Sequence, residues 1–270
     1  MCNNMVRIGI GQMQPVLLDK AENIARTNEM LERAAKSEVD VLVLPELANS
    51  GYAFQSGLEV RLVAEEVPNS EFCQILKKWS LNDRMVIAGI CEAYETSIYN
   101  SAVVFANGEL RTIYRKVNLF NQEVEWFEPG RKEPPVVEFN NHHYGIMICF
   151  DWAFPEIARI LALKDAQVIL HPANLVLPYC QNAMITRCIE NHIFAVTANR
   201  IGKERGLHFS GNSQIVSPKG EILCRLGENE VSIVYHDIDL EEADNKMITK
   251  RNHVLRDRTP ELYERLVKRR

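Results

Sequence analysis

Short runs of apolar, β-branched residues alternate along this chain with longer stretches in which apolar residues recur every three or four positions. The short runs have the length and composition of buried strands, and the longer stretches have helical periodicity. The predicted strands are Val6–Met13, Asp40–Leu44, Met85–Cys91, Ser101–Ala106, Leu110–Arg115, Tyr144–Cys149, Gln167–His171, Phe194–Ala198, Gly211–Ser217, Glu221–Leu226 and Ser232–Ile238. The predicted helices are Lys20–Ser37, Glu71–Leu81, Pro155–Lys164, Ala183–His192 and Leu240–Lys250. The alternation predicts a mixed α/β fold.

Turn signals show how the strands connect. Asn107-Gly108 separates two strand runs, and Pro218-Lys219-Gly220 separates two more, as in β-hairpins. Asp19 has the position of a helix N-cap, and His142-His143 lies in the polar stretch FNNHHYG, which we interpret as a solvated turn. Hairpins mixed with α/β crossovers suit two packed sheets covered by helices.

Three chemically distinctive residues stand beside apolar runs: Glu46 in VLVLPELANSGY, Lys116 in TIYRKVNLF and Cys149 in YGIMICFDWAFPE. Each has an ordinary alternative explanation: a solvated loop carboxylate, an exposed strand-edge lysine and a small buried hydrophobe. Together they supply a base, a positive group for an oxyanion and a soft nucleophile.

The surroundings of Cys149 favour the nucleophile. The run GIMIC is strand-like, and Phe154-Pro155-Glu156 resembles a helix start, so the thiol would lie at a strand-to-helix turn. Free backbone N–H groups there can lower a thiol pKa and stabilise an oxyanion.

These motifs carry a resemblance. LPE followed by GY, then YRK-x-N-L-F, then GIMICFDW-x-FPE followed by HPAN resemble the nitrilase, or carbon–nitrogen hydrolase, superfamily over nearly the whole chain. The resemblance implies a four-layer α-β-β-α sandwich with a Glu-Lys-Cys triad at Glu46, Lys116 and Cys149. It implies a second glutamate after the lysine, for which Glu123 in LFNQEVEWFEPG is the best match, with Glu125 and Glu128 as nearby alternatives. Asn118 stands where the family often has histidine.

The implied mechanism assigns roles to these side chains. Glu46 takes the thiol proton, Cys149 attacks the substrate carbon, and Lys116 with the backbone N–H of Phe150 holds the oxyanion. Ammonia leaves, and water then releases the acid from a thioester. No cofactor is required.

Other residues near the motifs are candidates for the substrate pocket. Trp152, Asn174 and Tyr52 lie just beyond strand ends, where an aromatic wall and an amide would hold a substrate. A purely structural role is the alternative for each. We expect Asp151 to orient the turn or to cap the following helix.

Composition narrows the class of protein. The 270 residues are 46% hydrophobic and carry a net charge of −5, which gives no general attraction to nucleic acid or anionic membranes. We expect one domain over residues 1–270, with no signal peptide or membrane span. Seven scattered cysteines indicate reduced thiols and a cytoplasmic protein. Cys188 and His192 alone do not make a metal site.

The leading hypothesis is an amidase that releases ammonia and a carboxylic acid from a small amide. A nitrilase uses the same triad, and an N-carbamoyl amidohydrolase or a scaffold without turnover are further alternatives. We expect a homodimer or higher oligomer, with contacts from the helix around Met184–His192 and from the C-terminal segment. The alternative is that these apolar positions face the protein's own core.

Overall fold

The computed structural model describes residues 5–268, and two separate β-sheets dominate it. The first contains seven strands in the order β15-β1-β2-β4-β5-β6, with β3 beside the end of β4. Their bounds are β1 Met5–Gln12, β2 Val41–Val43, β3 Glu65–Glu66, β4 Met85–Tyr94, β5 Ser97–Ala106, β6 Glu109–Arg115 and β15 Ser232–Asp239. The central pairs β1/β2 and β2/β4 are parallel, and the outer pairs are antiparallel hairpins or returns.

The second sheet contains six strands in the order β14-β13-β10-β9-β8-β7. Their bounds are β7 Val136–Phe139, β8 His142–Ile146, β9 Val168–Ala173, β10 Phe194–Asn199, β13 Gln214–Val216 and β14 Ile222–Arg225. The pairs β8/β9 and β9/β10 are parallel. A separate hairpin joins β11 Ile201–Glu204 to β12 Leu207–Ser210.

Helices cover the outer faces of the sheets. They are α1 Lys20–Lys36, α2 Gly57–Val63, α3 Glu71–Trp79, α4 Glu123–Trp126, α5 Pro155–Leu163 and α6 Cys180–Asn191. Buried side chains of α1 and α3 pack on the first sheet, while α5 contacts β8 and α6 contacts β10 and β13. Asp19 caps α1 through a 3.0 Å bond from Glu22 N, as predicted.

The main core lies between the two sheets. Ile8, Val41 and Ile87 of the first sheet share one buried cluster with Leu170 and Val196 of the second, and β1 contacts β10 while β4 contacts β9. Helices therefore contact each sheet, and the two sheets contact each other. The predicted mixed α/β fold is confirmed, as are both hairpins.

Two local predictions are wrong. The segment Leu240–Lys250 forms only a 3-10 turn at Leu240–Ala243, because the backbone beyond it is anchored to the end of α6: Asn245 O accepts from His192 Nδ1 at 2.6 Å. His142 and His143 are not a turn but the start of β8. The turn is at Asn140 and Asn141, whose φ angles of 48° and 62° asparagine tolerates.

Six helices and strands are additional to the prediction: α2, α4, β3, β7, β11 and β12. All of them are too short to show a periodic pattern of apolar residues. In addition, β7 directly follows two prolines. Along residues 5–268, no helix combines the length and apolar character needed to cross a bilayer.

Candidate active site

Three strands of the two sheets bring the predicted reactive residues to one end of the molecule. Glu46 follows β2, Lys116 directly follows β6, and Cys149 lies just beyond β8. Glu46 and Lys116 are 0% exposed and Cys149 is 5% exposed. The alternative explanations of Glu46 as a solvated loop residue and Lys116 as an exposed edge lysine are therefore wrong.

A glycine in the neighbouring strand allows the Glu46 turn to pack closely. A Cβ at Gly89 would lie 2.3 Å from Glu46 Cα, and Gly89 N donates to Pro45 O at 2.9 Å. Any side chain at this position of β4 would displace the backbone that carries Glu46.

Lys116 is the centre of a buried charge cluster. Its Nζ donates to Glu46 Oε1 at 2.7 Å and to Glu123 Oε1 at 2.8 Å. Burial lowers the pKa of Lys116, but the two carboxylates more than reverse this effect and raise the pKa well above its ordinary value. The ammonium is thus held in its charged form.

The two oxygens of Glu46 have different surroundings. Oε1 accepts from Lys116 and also from Asn100 Nδ2 at 2.7 Å. Oε2 is buried and has no hydrogen-bond partner among residues 5–268. A buried oxygen without a partner costs free energy unless a ligand or a reacting group supplies the missing proton.

Cys149 begins a 3-10 turn, Cys149–Ala153, and its φ of 40° lies in the left-handed region. Such a conformation persists only where neighbours hold it. Asp151 Oδ2 accepts from Ile148 N at 3.0 Å, and His171 Nε2 lies 2.9 Å from Cys149 O. Two buried side chains therefore fix the backbone on either side of the thiol.

The tautomer of His171 follows from its partners. Cys149 O is an acceptor, so Nε2 carries the proton, and Nδ1 accepts from Thr197 Oγ1 at 3.1 Å. Burial lowers the pKa of His171 to about 4, so the ring is neutral at neutral pH.

The thiol of Cys149 is protonated at rest. Burial raises its pKa well above the ordinary value and the Glu46 carboxylate raises it further, whereas Lys116 and the backbone of Asn174 lower it. A protonated thiol needs a base at the moment of attack. The Glu46 carboxylate lies near enough to Cys149 for its charge to raise the thiol pKa.

Glu123 lies at the start of α4 and is held by more than Lys116. Tyr52 OH donates to Glu123 Oε1 at 2.7 Å, and Phe120 N donates to Oε2 at 3.2 Å. Burial raises the pKa of Glu123, although its bonds from Lys116 and Tyr52 oppose this. Of the glutamates in this stretch, it is Glu123 that the structure places against the lysine.

The remaining predicted pocket residues surround the thiol. Phe150, Trp152 and Asn174 line a narrow cleft with Cys149, and Phe150 packs edge-on against Trp152 at 6.4 Å between ring centroids. Both polar side-chain atoms of Asn174 are buried without a partner in the described chain. Tyr52 lines a larger adjoining cavity of about 510 Å³.

Asp151 and Asn118 form a polar support below the turn, as expected of an orienting role for Asp151. Asn118 Nδ2 donates to Asp151 Oδ1 at 2.8 Å, and Tyr114 OH donates to Oδ2 at 2.9 Å. Asn118, which stands where the family often has histidine, therefore donates a hydrogen bond to the 3-10 turn Cys149–Ala153.

The sequence alone did not identify several residues of the site. Asn100 and His171 lie inside apolar strands, and a polar residue in such a run is the one signal that points to them. Glu204 accepts from Tyr52 N at 2.9 Å and from Ala53 N at 3.0 Å, a contact across 152 residues that no local pattern indicates.

Within residues 5–268, no group of three or more His, Cys, Asp and Glu side chains is arranged to hold a metal ion. Cys188 instead packs in the main core, and His192 ends α6 in a left-handed conformation.

Comparison with known proteins places this geometry in a family. The family model described as "Carbon-nitrogen hydrolase" matches residues 7–246. A relative named "Nitrilase" from Pyrococcus abyssi is 41% identical over 97% of this chain and 100% of its own length. A relative named "Omega-amidase NIT2" from Danio rerio is 30% identical over 82% of this chain and 84% of its own.

A solved structure, an amidase from Nesterenkonia sp., superposes with a TM-score of 0.82. The match has 26% identity and covers 98% of each chain. With a family model spanning most of the sequence and full-length relatives, this chain belongs to the carbon–nitrogen hydrolase family of the nitrilase superfamily.

Proposed function

We propose that this chain is a thiol hydrolase that cleaves the C–N bond of a small amide and releases ammonia and a carboxylic acid. The observation that carries the proposal is the buried cluster of Glu46, Lys116 and Glu123 beside Cys149. This arrangement supports the proposal that Glu46 is the base, Lys116 the fixed positive charge and Cys149 the nucleophile.

The first half of the reaction forms a thioester. Glu46 Oε2 takes the thiol proton as Cys149 Sγ attacks the carbonyl carbon, and the Lys116 ammonium with the Phe150 N–H stabilises the oxyanion. Glu46 then returns the proton to the leaving nitrogen, the C–N bond breaks, and ammonia departs.

The second half repeats these roles with water. Glu46 removes a proton from water as the water oxygen bonds to the thioester carbon. The C–S bond then breaks, and Glu46 returns the proton to Cys149 Sγ, which leaves the acid and the thiol. Lys116 keeps its proton throughout, because its two carboxylate neighbours raise its pKa. These steps use no cofactor, so we propose that none is needed.

The test is ammonia release from small amides, ω-amides, carbamoyl compounds and nitriles, with wild type beside Cys149→Ala. We expect turnover by wild type and none by the variant, and mass spectrometry of quenched wild type should show an acyl adduct on Cys149. Turnover that persists in Cys149→Ala would disprove the thioester.

A nitrilase activity is the second candidate, because the relative with 41% identity carries that name. A nitrile and its corresponding amide, assayed at equal concentration, separate the two. A larger kcat/KM for the nitrile would make this protein a nitrilase that uses the same thiol.

We further propose that the protein acts in the cytoplasm. Cys149 is a nucleophile only while it is reduced, and the cytoplasm keeps thiols in that form. Localisation of a tagged full-length chain in its own host, with fractionation, tests this.

A further inference from the structure

The space next to Cys149 has two parts of different size. The cleft lined by Cys149, Phe150 and Asn174 has a volume of about 20 Å³, room for little more than one water molecule. The adjoining cavity has about 510 Å³ and shares Phe120, Val176 and Leu177 with the cleft. The cleft is too small for a whole substrate, so only the atoms that react with Cys149 can occupy it, and the rest of a bound molecule extends into the cavity.

The larger cavity has an extensive apolar wall. Aromatic and aliphatic side chains line much of it, among them Tyr52, Phe54, Phe120, Trp126, Phe127 and Leu177. Such a wall fits a carbon chain or ring attached to the reactive carboxamide.

The positive charge that lines the cavity is already neutralised. Arg205 donates to Glu59 Oε2 at 2.7 Å and to Glu59 Oε1 at 2.9 Å, and it also donates to Ala53 O at 3.1 Å. No other lysine or arginine of the described chain lines this space. A substrate carboxylate would have to displace a bidentate partner to reach Arg205.

The negative charge of the cavity is not neutralised in this way. Glu125 lines the wall, is exposed and makes no side-chain hydrogen bond or ion pair with residues 5–268. Glu123, also in the wall, shares the single Lys116 ammonium with Glu46. Carboxylates therefore outnumber cations around the bound substrate. A substrate that brings a carboxylate of its own into the cavity is repelled.

We propose that the substrate carries a neutral or positively charged group at the end remote from its carboxamide, and that the cavity rejects amides with a carboxylate there. This inference rests on the proposed function and deepens it. It separates this chain from relatives named omega-amidase, since an ω-amide of a dicarboxylic acid presents a carboxylate at that end.

Three amides of equal chain length test the inference: pentanamide, 5-aminopentanamide and glutaric acid monoamide. They end in a methyl group, an ammonium and a carboxylate, and kcat/KM is measured for each by ammonia release at low ionic strength. We expect the first two to exceed the carboxylate by at least about tenfold, as like charges in a partly hydrated cavity predict. Added salt should narrow the ratio.

Two substitutions test the stated cause. Glu59→Gln frees Arg205 and should raise kcat/KM for the carboxylate substrate about fivefold or more relative to pentanamide, as an unpaired guanidinium predicts. Glu125→Gln should shift the same ratio in the same direction. The matched control is Glu128→Gln, since Glu128 is an exposed neighbour outside this cavity and should leave the ratio unchanged.

The outcomes separate this inference from the proposed function. Equal or faster turnover of the carboxylate substrate by wild type overturns the inference and leaves the hydrolase in place. Unchanged ratios in both charge variants also overturn it, because charge then does not set the selectivity. If the protein turns over neither the amides nor the matching nitriles, the proposed function is wrong, and the inference is wrong with it.

Discussion

At the scale of single residues, Lys116 supplies the positive charge that pairs with two buried carboxylates. Glu46 and Glu123 each lie within 2.8 Å of its Nζ, and neither carboxylate forms an ion pair with another cation within residues 5–268. Removing one partner of a buried ion pair leaves the other charge without compensation, which usually costs about 3 to 5 kcal/mol.

We therefore expect Lys116→Met to lower the free energy of unfolding by about 3 to 5 kcal/mol at pH 7. In this variant Glu123, whose pKa burial already raises, binds a proton more readily in the folded chain than in the unfolded chain, so stability should rise as the pH falls. Urea unfolding at pH 7 and pH 5 measures both effects.

The double variant Lys116→Met with Glu123→Gln should recover part of the stability, and its activity should stay about 10²-fold or more below that of wild type. Full stability in the single variant would contradict the buried charge cluster.

His171 gives a second prediction, because burial lowers its pKa, whereas burial raises the pKa of Glu123. Its pKa is about 4 in the folded chain, where burial disfavours the charged ring, and about 6.5 when unfolded. The unfolded chain thus binds more protons between these values, so stability falls as the pH is lowered through that window. We expect His171 to contribute a loss of about 2 kcal/mol between pH 7 and pH 5.

The measurement is the difference between wild type and His171→Gln, which keeps an N–H donor but does not titrate. The variant should lose less stability than wild type over the same pH interval, as recorded by urea unfolding. Identical pH dependence in the two proteins would show that the ring is charged, or is not buried, in the folded state.

The residue types of the site could be predicted from the sequence, but their bonding could not. Glu46, Lys116 and Cys149 stand beside apolar runs that locate them at strand ends. Which glutamate after the lysine faces it depends on the short helix α4, and four residues carry too little periodic signal to orient a side chain. The unpaired oxygen of Glu46 and the tautomer of His171 depend on contacts between distant strands.

At the scale of elements, the corner between β10 and β11 supports the site from outside. Arg200 is fully buried, donates to Glu204 Oε1 at 2.6 Å and stacks 4.0 Å from the centroid of Phe209. Glu204 Oε2 accepts from the backbone of Tyr52 and Ala53, and Tyr52 OH reaches Glu123. A chain of polar contacts therefore links this corner to Lys116.

Glu204 is expected to act as a positioning residue through Tyr52. Glu204→Ala should lower kcat by about tenfold or more, since small displacements of site residues are costly, whereas Glu204→Gln should be milder because it keeps the acceptor oxygen. The measurement is a double-mutant cycle with Tyr52→Phe. If Glu204 acts through Tyr52, its removal should have little further effect on kcat in the Tyr52→Phe background. Additive losses would show that Glu204 affects kcat independently of Tyr52.

Long elements with a clear period could be predicted, and short or anchored ones could not. Helices α1, α3 and α5 begin at their predicted residues, since Asp19 and Ser70 cap α1 and α3 and a proline occupies the first position of α5. The expected helix at Leu240–Lys250 is replaced by contacts of Asn245 and Lys246 with the end of α6, which are tertiary. Tertiary contacts of this kind override local helical preference.

At the scale of the whole molecule, α5, α6 and the C-terminal segment form one continuous surface. Arg159 on α5 donates to Glu190 O at 2.8 Å and to Val254 O at 3.3 Å, which ties the three together. Apolar side chains remain uncovered around them, among them Leu163, Tyr179, Ile189, Leu262, Leu266 and Val267. Clustered exposed apolar residues are typical of a surface that another chain covers.

We expect this surface to pair two copies of the chain, which would place α6 and the C-terminal segment at a dimer interface. Light scattering of the 30.9 kDa chain should then give at least twice that mass. Ile189→Glu and Leu266→Glu should each shift the mass toward a single chain, because a buried charge without a partner opposes association. Leu62→Glu is the matched control, since Leu62 is an exposed leucine on α2, outside this surface. A wild-type protein at the mass of one chain would contradict the interface, and dissociation by the control alone would move it to the α2 side.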